Sequence, residues 1–435
     1  MHILNEWLNG KLPAHIKHVF YFTLWNLTDF KKSSVEELLS DHHGDNSAQF
    51  VKLISSRPED CLVVFDGADE VILDRRNSNQ QGTIAMNLVS SIIQGKELPR
   101  VCVVVTSRPG GIPGCYQFDK CGEIYGLTQD EIDKYVAKFS RGDDELQQSI
   151  NEYIKEHTNI ASLCYVPVQC RLVCRIVKMK KKCHTEVPKT ITQLYSLSVE
   201  NLAIEHILRN KYTDTVEDAE VFDQEDRQKL LSHAKLARAA MAKTPVQITF
   251  SQSEIEKYDL KEAATTCGLL TLSKDTDALL RKHSHTYSYN HLTMQEYLAA
   301  VALVSSPQEV ESMVMQAANH DQLDLLFMFL CGLLGDSSCQ EFLKSLGCER
   351  KMSAESLLKL VVERERKKGR EHHEQSTLLL LMMIYESRHP ELWSTVADYV
   401  MEDGKALDLR WKHISPVELQ AMTFIFQQST FTSLE

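Results

Sequence analysis

The chain has 435 residues, of which 43% are hydrophobic and 25% charged, enough apolar material for real cores and a length that suits about two to four domains. Its 48 basic and 60 acidic side chains leave a formal charge of −12, which disfavours nucleic acid and anionic membranes as partners. Twelve cysteines without a CxxC pair, no signal-peptide pattern in MHILNEWLNG and no apolar run of bilayer length predict a soluble cytoplasmic protein with free thiols.

In chain order, HVFYFTLWNL (18–27) reads as a strand rich in aromatic and branched residues. Ser34 and Glu37 form a capping-box pattern that opens a helix at SVEELL. CLVVF (61–65) and VCVVVT (101–106) are short continuous apolar runs, as expected of strands covered on both faces of a parallel sheet, and TIAMNLVSSII (83–93) between them has helical periodicity. CGEIYGL (121–127) is a weaker strand candidate. The first quarter is therefore expected to be a β/α/β series in a doubly wound sheet.

After Leu127 the pattern turns helical, over 128–140, 149–157 and 166–182. Cys164, Cys170 and Cys174 are spaced as an apolar helix face rather than as zinc ligands. The basic run Lys178–Lys182 (KMKKK) reads as a solvated helix end, with a phosphoinositide or nucleic-acid patch as the lesser alternative. Thr190 and Gln193 fit a capping box at the start of a new helix after Pro188, and 227–242 and 252–258 are helical too. GLLTL (268–272) and TYSYNH (286–291) are expected to pair as a hairpin, with Thr293 and Glu296 capping the helix that follows. Helices, a two-stranded wing and another helix suggest a winged-helix domain, and the acidic charge argues against DNA binding by it. Beyond Ser306 the chain reads as helical: Leu325–Leu334 and Leu378–Tyr385 are apolar nearly all round and should be buried, whereas ERERKKGREHHE (363–374) reads as a solvated helix and loop.

The chemistry is concentrated in CLVVFDGADEV (61–71). A strand ending in Asp66 puts a carboxylate at the carboxyl edge of a parallel sheet, where open α/β folds bind ligands. In P-loop NTPases the corresponding acid holds magnesium on the β- and γ-phosphates. Asp69 and Glu70 follow closely enough to polarise an attacking water, and Gly67 allows a tight turn beside the phosphates. The plainer alternative is a strand ending in an acidic turn. Arg108, at the end of the next strand in TSRPGG, can sense a γ-phosphate or simply precede a Pro-Gly turn.

Strand–DGADE, strand–TSRP, LCYVPVQC (163–170), PKTITQLY (188–195) and YNHLTMQEYLAA (289–300) occur in an order and spacing that resembles the NACHT ATPase module of the NOD-like receptors, signalling ATPases of the STAND class. The resemblance implies an α/β domain followed by mostly α structure. The expected parts are an incomplete nucleotide-binding domain with a doubly wound parallel sheet of P-loop NTPase type at 1–122, a helical domain at 123–187, a winged-helix domain at 188–304, a second helical domain at 305–405 and the start of leucine-rich repeats at 406–435. It implies ATP or ADP with Mg²⁺ as cofactors, Asp66 as the metal-site acid, Asp69 and Glu70 as catalytic acids and Arg108 as the sensor arginine. Pro167 resembles the proline that packs on adenine, and His291 the histidine that contacts the β-phosphate of ADP. On the residues alone, Pro167 is a helix-start proline and His291 a hydrogen-bonded junction histidine.

The sequence departs from the family at one point. No segment fits G-x-x-x-x-G-K-[ST]: Gly-Lys at 10–11, 95–96 and 404–405 is followed by Leu, Glu and Ala, without the earlier glycine. NEWLNGKLP (5–13) resembles the end of the helix after the phosphate loop, so the chain is expected to begin just beyond that loop. Two functional expectations follow. One is a fragment of an innate-immune nucleotide switch, closed with ADP and oligomerising with ATP, whose partners are its own copies, other NOD-like receptors or adaptor proteins. The other is a non-catalytic interaction or decoy protein without a phosphate loop.

Overall fold

The computed structural model describes residues 2–27, 34–43, 47–68, 84–108, 112, 116–180, 187–211, 224–243, 246–260, 268–276, 283–316, 323–368, 373–401 and 414–428. They form two units, one built mainly on Met1–Glu123 and the other on Ile124–Lys243, Gln247–Thr276 and His283–Glu435. No helix among the described residues is long and apolar enough to cross a membrane.

The first unit holds a parallel sheet of β1 (His18–Thr23), β2 (Cys61–Asp66) and β3 (Cys102–Val105), in that spatial order. Register runs from His18 opposite Cys61 to Thr23 opposite Asp66, and from Leu62 opposite Cys102 to Phe65 opposite Val105. Side chains alternate across a strand, so the unbroken apolar run of β2 serves two cores at once. Cys61, Val63 and Phe65 enter one cluster with Phe20 and Phe22. Helices α2 (Val35–His43), α3 (Ser47–Ser56) and α4 (Ile84–Ile93) cover that face through Leu38, Leu39, Ile54, Leu88 and Val89. Leu62 and Val64 enter a smaller cluster on the opposite face with Ile16, Tyr21 and Ile3, the last from α1 (His2–Leu8). The capping box at Ser34 is present: Glu37 N–H donates to Ser34 Oγ at 3.1 Å and Ser34 N–H to Glu37 Oε2 at 3.3 Å.

CGEIYGL forms no strand. It finds no ladder partner among the described residues, Ile124 is 98% exposed, and Leu127 N–H donates instead to the Tyr165 carbonyl at 2.7 Å. The second unit then opens with α5 (Gln129–Ser140), α6 (Asp144–Glu156), α7 (Thr158–Leu163) and α8 (Pro167–Lys180). Cys164, Cys170 and Cys174 are buried there as free thiols, the face that their spacing predicts. Of the KMKKK run, Lys181 and Lys182 lie outside the described residues.

Helix α9 (Ile191–Lys211) begins where PKTITQLY predicts and is buried on all sides over its first turns, which suits a segment with no polar face. Thr190 Oγ1 accepts from Gln193 N–H, while the Gln193 side chain reaches one residue further back, to Lys189 N–H. Next come α10 (Gln224–Met241), β4 (Thr249–Ser251) and α11 (Gln252–Lys257). Strands β5 (Leu270–Thr276) and β6 (His283–Tyr289) pair antiparallel, Leu270 opposite Tyr289, and β4 adds a third strand on the far side of β6. The predicted hairpin is thus two-thirds of a three-stranded sheet; three residues, TFS, were too short a run to read.

Helix α12 (Leu292–Leu303) packs on α10. Its N-cap is His291 rather than Thr293, because the helix starts one residue before that threonine, and Glu296 is fully buried instead of capping. The remaining helices are α13 (Pro307–Gln316), α14 (Asp324–Gly335), α15 (Ser337–Ser345), α16 (Ala354–Lys368), α17 (His373–Ser387), α18 (Trp393–Val400) and α19 (Pro416–Gln428). The apolar segments of α14 and α17 pack together as the core, as their composition predicts. The charged stretch from 363 is solvated only in part: Glu363, Arg366 and Lys367 are exposed, residues 369–372 lie outside the described residues, and Arg364 and Glu365 are buried. Arg364 is fully buried and pairs with Glu365 and, at 2.7 Å, with Asp324, its guanidinium 5.1 Å from the Phe327 ring centre. Glu365 also accepts from Ser376 and pairs with Lys368, so a run of charges is neutralised internally where α16 meets α14 and α17.

Candidate functional site

Asp66 ends β2 at the carboxyl edge of the parallel sheet. Both carboxylate oxygens are engaged: Tyr21 Oη donates to Oδ2 from the neighbouring β1, and Thr106 Oγ1 donates to Oδ1 from just beyond β3. The sheet explains the convergence, since β1 and β3 flank β2 in register and their ends reach the same edge. Thr106 is itself fixed, its N–H donating to the Phe65 carbonyl at 2.9 Å and its carbonyl accepting from Ala68 N–H at 2.8 Å. Gly67 N–H donates to Thr106 Oγ1 at 3.1 Å. The chain turns at Gly67 with φ of +84°, a region that a side chain would strain.

The carboxylate is half-buried and oriented by hydroxyls on two sides. Sequence reading missed Tyr21 and Thr106. The signal available was alternation in HVFYFT together with the threonine of TSRP, both meaningful only once the strand register is known. Asp69 and Glu70 lie outside the described residues. Arg108 is described and half-buried two residues past Thr106, and its carbonyl accepts from Ser107 Oγ at 2.9 Å.

No group of three or more His, Cys, Asp or Glu side chains able to hold a metal occurs among the described residues. One oriented carboxylate and an adjacent hydroxyl suit a hard cation that takes its other ligands from phosphate and water, as magnesium does, and do not suit a closed protein cage.

Pro167 and His291 belong to the second unit. Pro167 is exposed at the first position of α8, where its missing N–H costs nothing. His291 caps α12: Nδ1 accepts from Thr293 N–H at 3.2 Å and lies 2.8 Å from Thr293 Oγ1, which in turn meets Tyr195 Oη. An Nδ1 that accepts from an amide leaves the neutral ring's proton on Nε2. Both residues therefore have sound structural roles in addition to any role toward a ligand.

Residues 1–143 match the NACHT domain. The chain is 25% identical over 369 residues to "NACHT, LRR and PYD domains-containing protein 6" of Rattus norvegicus, an alignment covering 80% of this chain and 40% of that protein. It is 24% identical over 326 residues to "Protein NLRC3" of Mus musculus, covering 70% of this chain and 30% of that one. Against "Protein NLRC5" of Ictalurus punctatus the identity is 24% over 395 residues, covering 80% and 22%. The chain thus spans 40% or less of the length of these relatives.

Proposed function

We propose that the chain belongs with the NACHT-domain NOD-like receptors and forms part of a nucleotide-dependent signalling switch of innate immunity, contributing the metal-and-water side of the nucleotide site. The observation that carries this reading is Asp66, oriented by Tyr21 and Thr106 at the carboxyl edge of the parallel sheet within the NACHT match.

In this reading Asp66 holds magnesium directly or through water, and Thr106 and Tyr21 keep its carboxylate aimed. Bound magnesium supplies neutralisation of phosphate charge. Asp69 and Glu70 orient the hydrolytic water, Arg108 meets the γ-phosphate, Pro167 packs on adenine and His291 contacts the β-phosphate of ADP. The β4–β6–β5 sheet with α10 and α12 is taken as a winged-helix domain, within the proposed division at 122, 187, 304 and 405. ADP holds the closed state, and exchange for ATP opens it for assembly with its own copies or adaptor proteins in the cytoplasm.

A second reading, a non-catalytic interaction protein, is favoured by one observation: no G-x-x-x-x-G-K-[ST] occurs in the 435 residues. Backbone amides of such a loop supply most of the grip on phosphate. The test is to measure Mg²⁺-dependent ADP binding by the chain alone and by a fusion in which a relative's phosphate-loop segment precedes it. The switch reading expects weak binding alone and tight binding by the fusion. Thr106→Val and Asp66→Asn should then lower apparent magnesium affinity by about tenfold or more. A fusion that binds no nucleotide favours the interaction protein, and unchanged magnesium dependence in both variants removes Asp66 from the metal site.

A further inference from the structure

A cavity of about 650 Å³, open to solvent, lies between the end of α15 and the start of α16, with Leu334 of α14 in its wall. Lys344, Arg350 and Lys351 line it, against one acid, Glu349. None of the three cations is in an ion pair among the described residues. Some helix lysines elsewhere are paired at close range, as in Lys229–Glu225, Lys359–Glu355 and Lys367–Glu363. Three cations against one acid give this concavity a positive lining in a chain whose formal charge is −12.

The wall is also held in place. Arg350 Nη1 donates to the Leu334 carbonyl, which fixes the guanidinium. The loop carrying the cations is pinned by Gly347 N–H to Lys344 O at 2.9 Å, Cys348 N–H to Leu343 O at 2.9 Å and Lys351 N–H to Val304 O at 3.0 Å. Ser353, on the rim, accepts from Ser356 N–H at 3.1 Å, so the amino end of the 15-residue α16 faces this region and adds its partial positive charge.

We propose that this cavity binds a small polyanion carrying phosphate groups, at a site separate from the one assigned to nucleotide. Fixed arginine and lysine charges beside a helix amino end match tetrahedral phosphate oxygens. None of Asp66, Arg108, Pro167 and His291 lines the cavity.

Cys348 provides a reporter. Its half-buried thiol is in the cavity wall; burial raises its pKa, and Lys235 opposes that rise. In the full chain, iodoacetamide labelling is followed residue by residue by mass spectrometry, with the exposed Cys102 and Cys121 as internal controls. Saturating inorganic tripolyphosphate should slow labelling of Cys348 by about fivefold or more, leave Cys102 and Cys121 unchanged, and lose its effect as salt rises. Lys344 and Lys351 are exposed, so Lys344→Gln/Lys351→Gln should fold and lose the protection. Asp66→Asn should keep it. No protection at millimolar tripolyphosphate, or equal protection in the double variant, overturns the proposal; equal protection by citrate overturns the phosphate assignment.

Discussion

His233 sits in α10 with 1% of its surface exposed, beside the Tyr289 ring at 6.3 Å, while Tyr289 Oη donates to the His233 carbonyl at 2.7 Å. Burial lowers the pKa of its imidazole from 6.5 to about 3. Between those values the unfolded chain binds a proton that the folded chain refuses. The contribution of His233 to stability is therefore complete above about pH 6.5 and is lost progressively as pH falls toward about 3. His233→Gln keeps a polar ring-sized group that does not titrate. Thermal melts at pH 7 and pH 5 should show a smaller drop in Tm for the variant than for the wild type; equal drops would assign the acid sensitivity to other groups. Arg364 teaches a related lesson at the same scale. In the sequence it is one charge in a solvated-looking run, and only the packing of α16 reveals that Asp324 and Glu365 neutralise it in the core.

Among elements, the start of α9 is the most constrained junction in the second unit. The first N–H groups of a helix have no partner within it. Here Glu386 of α17 supplies one, accepting from Ile191 N–H at 3.1 Å, Thr192 N–H at 2.8 Å and Thr192 Oγ1 at 2.6 Å. Glu386→Gln swaps an acceptor oxygen for a donor facing donors, and should cost about 2–4 kcal/mol in urea unfolding. A cycle with Thr192→Val should give a coupling of about 1–2 kcal/mol; additivity would mean that the hydroxyl contributes nothing through Glu386. The same threonine limits how closely helices can pack. A Cβ on Gly332 of α14 would stand 2.3 Å from Thr192 Oγ1 and 2.7 Å from its Cβ, so Gly332→Ala should destabilise by about 1–3 kcal/mol in the same assay.

Elements with two buried faces or a capping pattern were legible in the sequence, as β2 and the Ser34 box illustrate. CGEIYGL was misread because composition says nothing about whether a ladder partner exists. Of the candidate site, Asp66 was legible from its strand. Tyr21 and Thr106 were not, because they reach it across the register of two other strands. His291 was legible as a junction residue, but its capping role depends on a helix start two residues earlier than the Thr293 motif suggests.

On the scale of the whole molecule, the two units have separate cores. Val63 and Phe65 anchor the one around the parallel sheet, and the packed α14 and α17, with Leu330 and Leu380 fully buried, anchor the other. A chain with two hydrophobic cores is not bound to unfold in one step. Scanning calorimetry should therefore resolve two transitions, or one whose calorimetric enthalpy exceeds its van't Hoff enthalpy. Core truncation identifies them. Phe65→Ala should cost about 3–5 kcal/mol and lower only the transition of the parallel-sheet unit, while Leu380→Ala should cost about 2–5 kcal/mol and lower only the other. In the fusion carrying a phosphate loop, ADP should raise the transition that Phe65→Ala lowers, and the other as well if Pro167 and His291 contact it as proposed, because a ligand stabilises each unit that binds it. A single transition moved equally by both truncations would mean that the chain folds as one cooperative body.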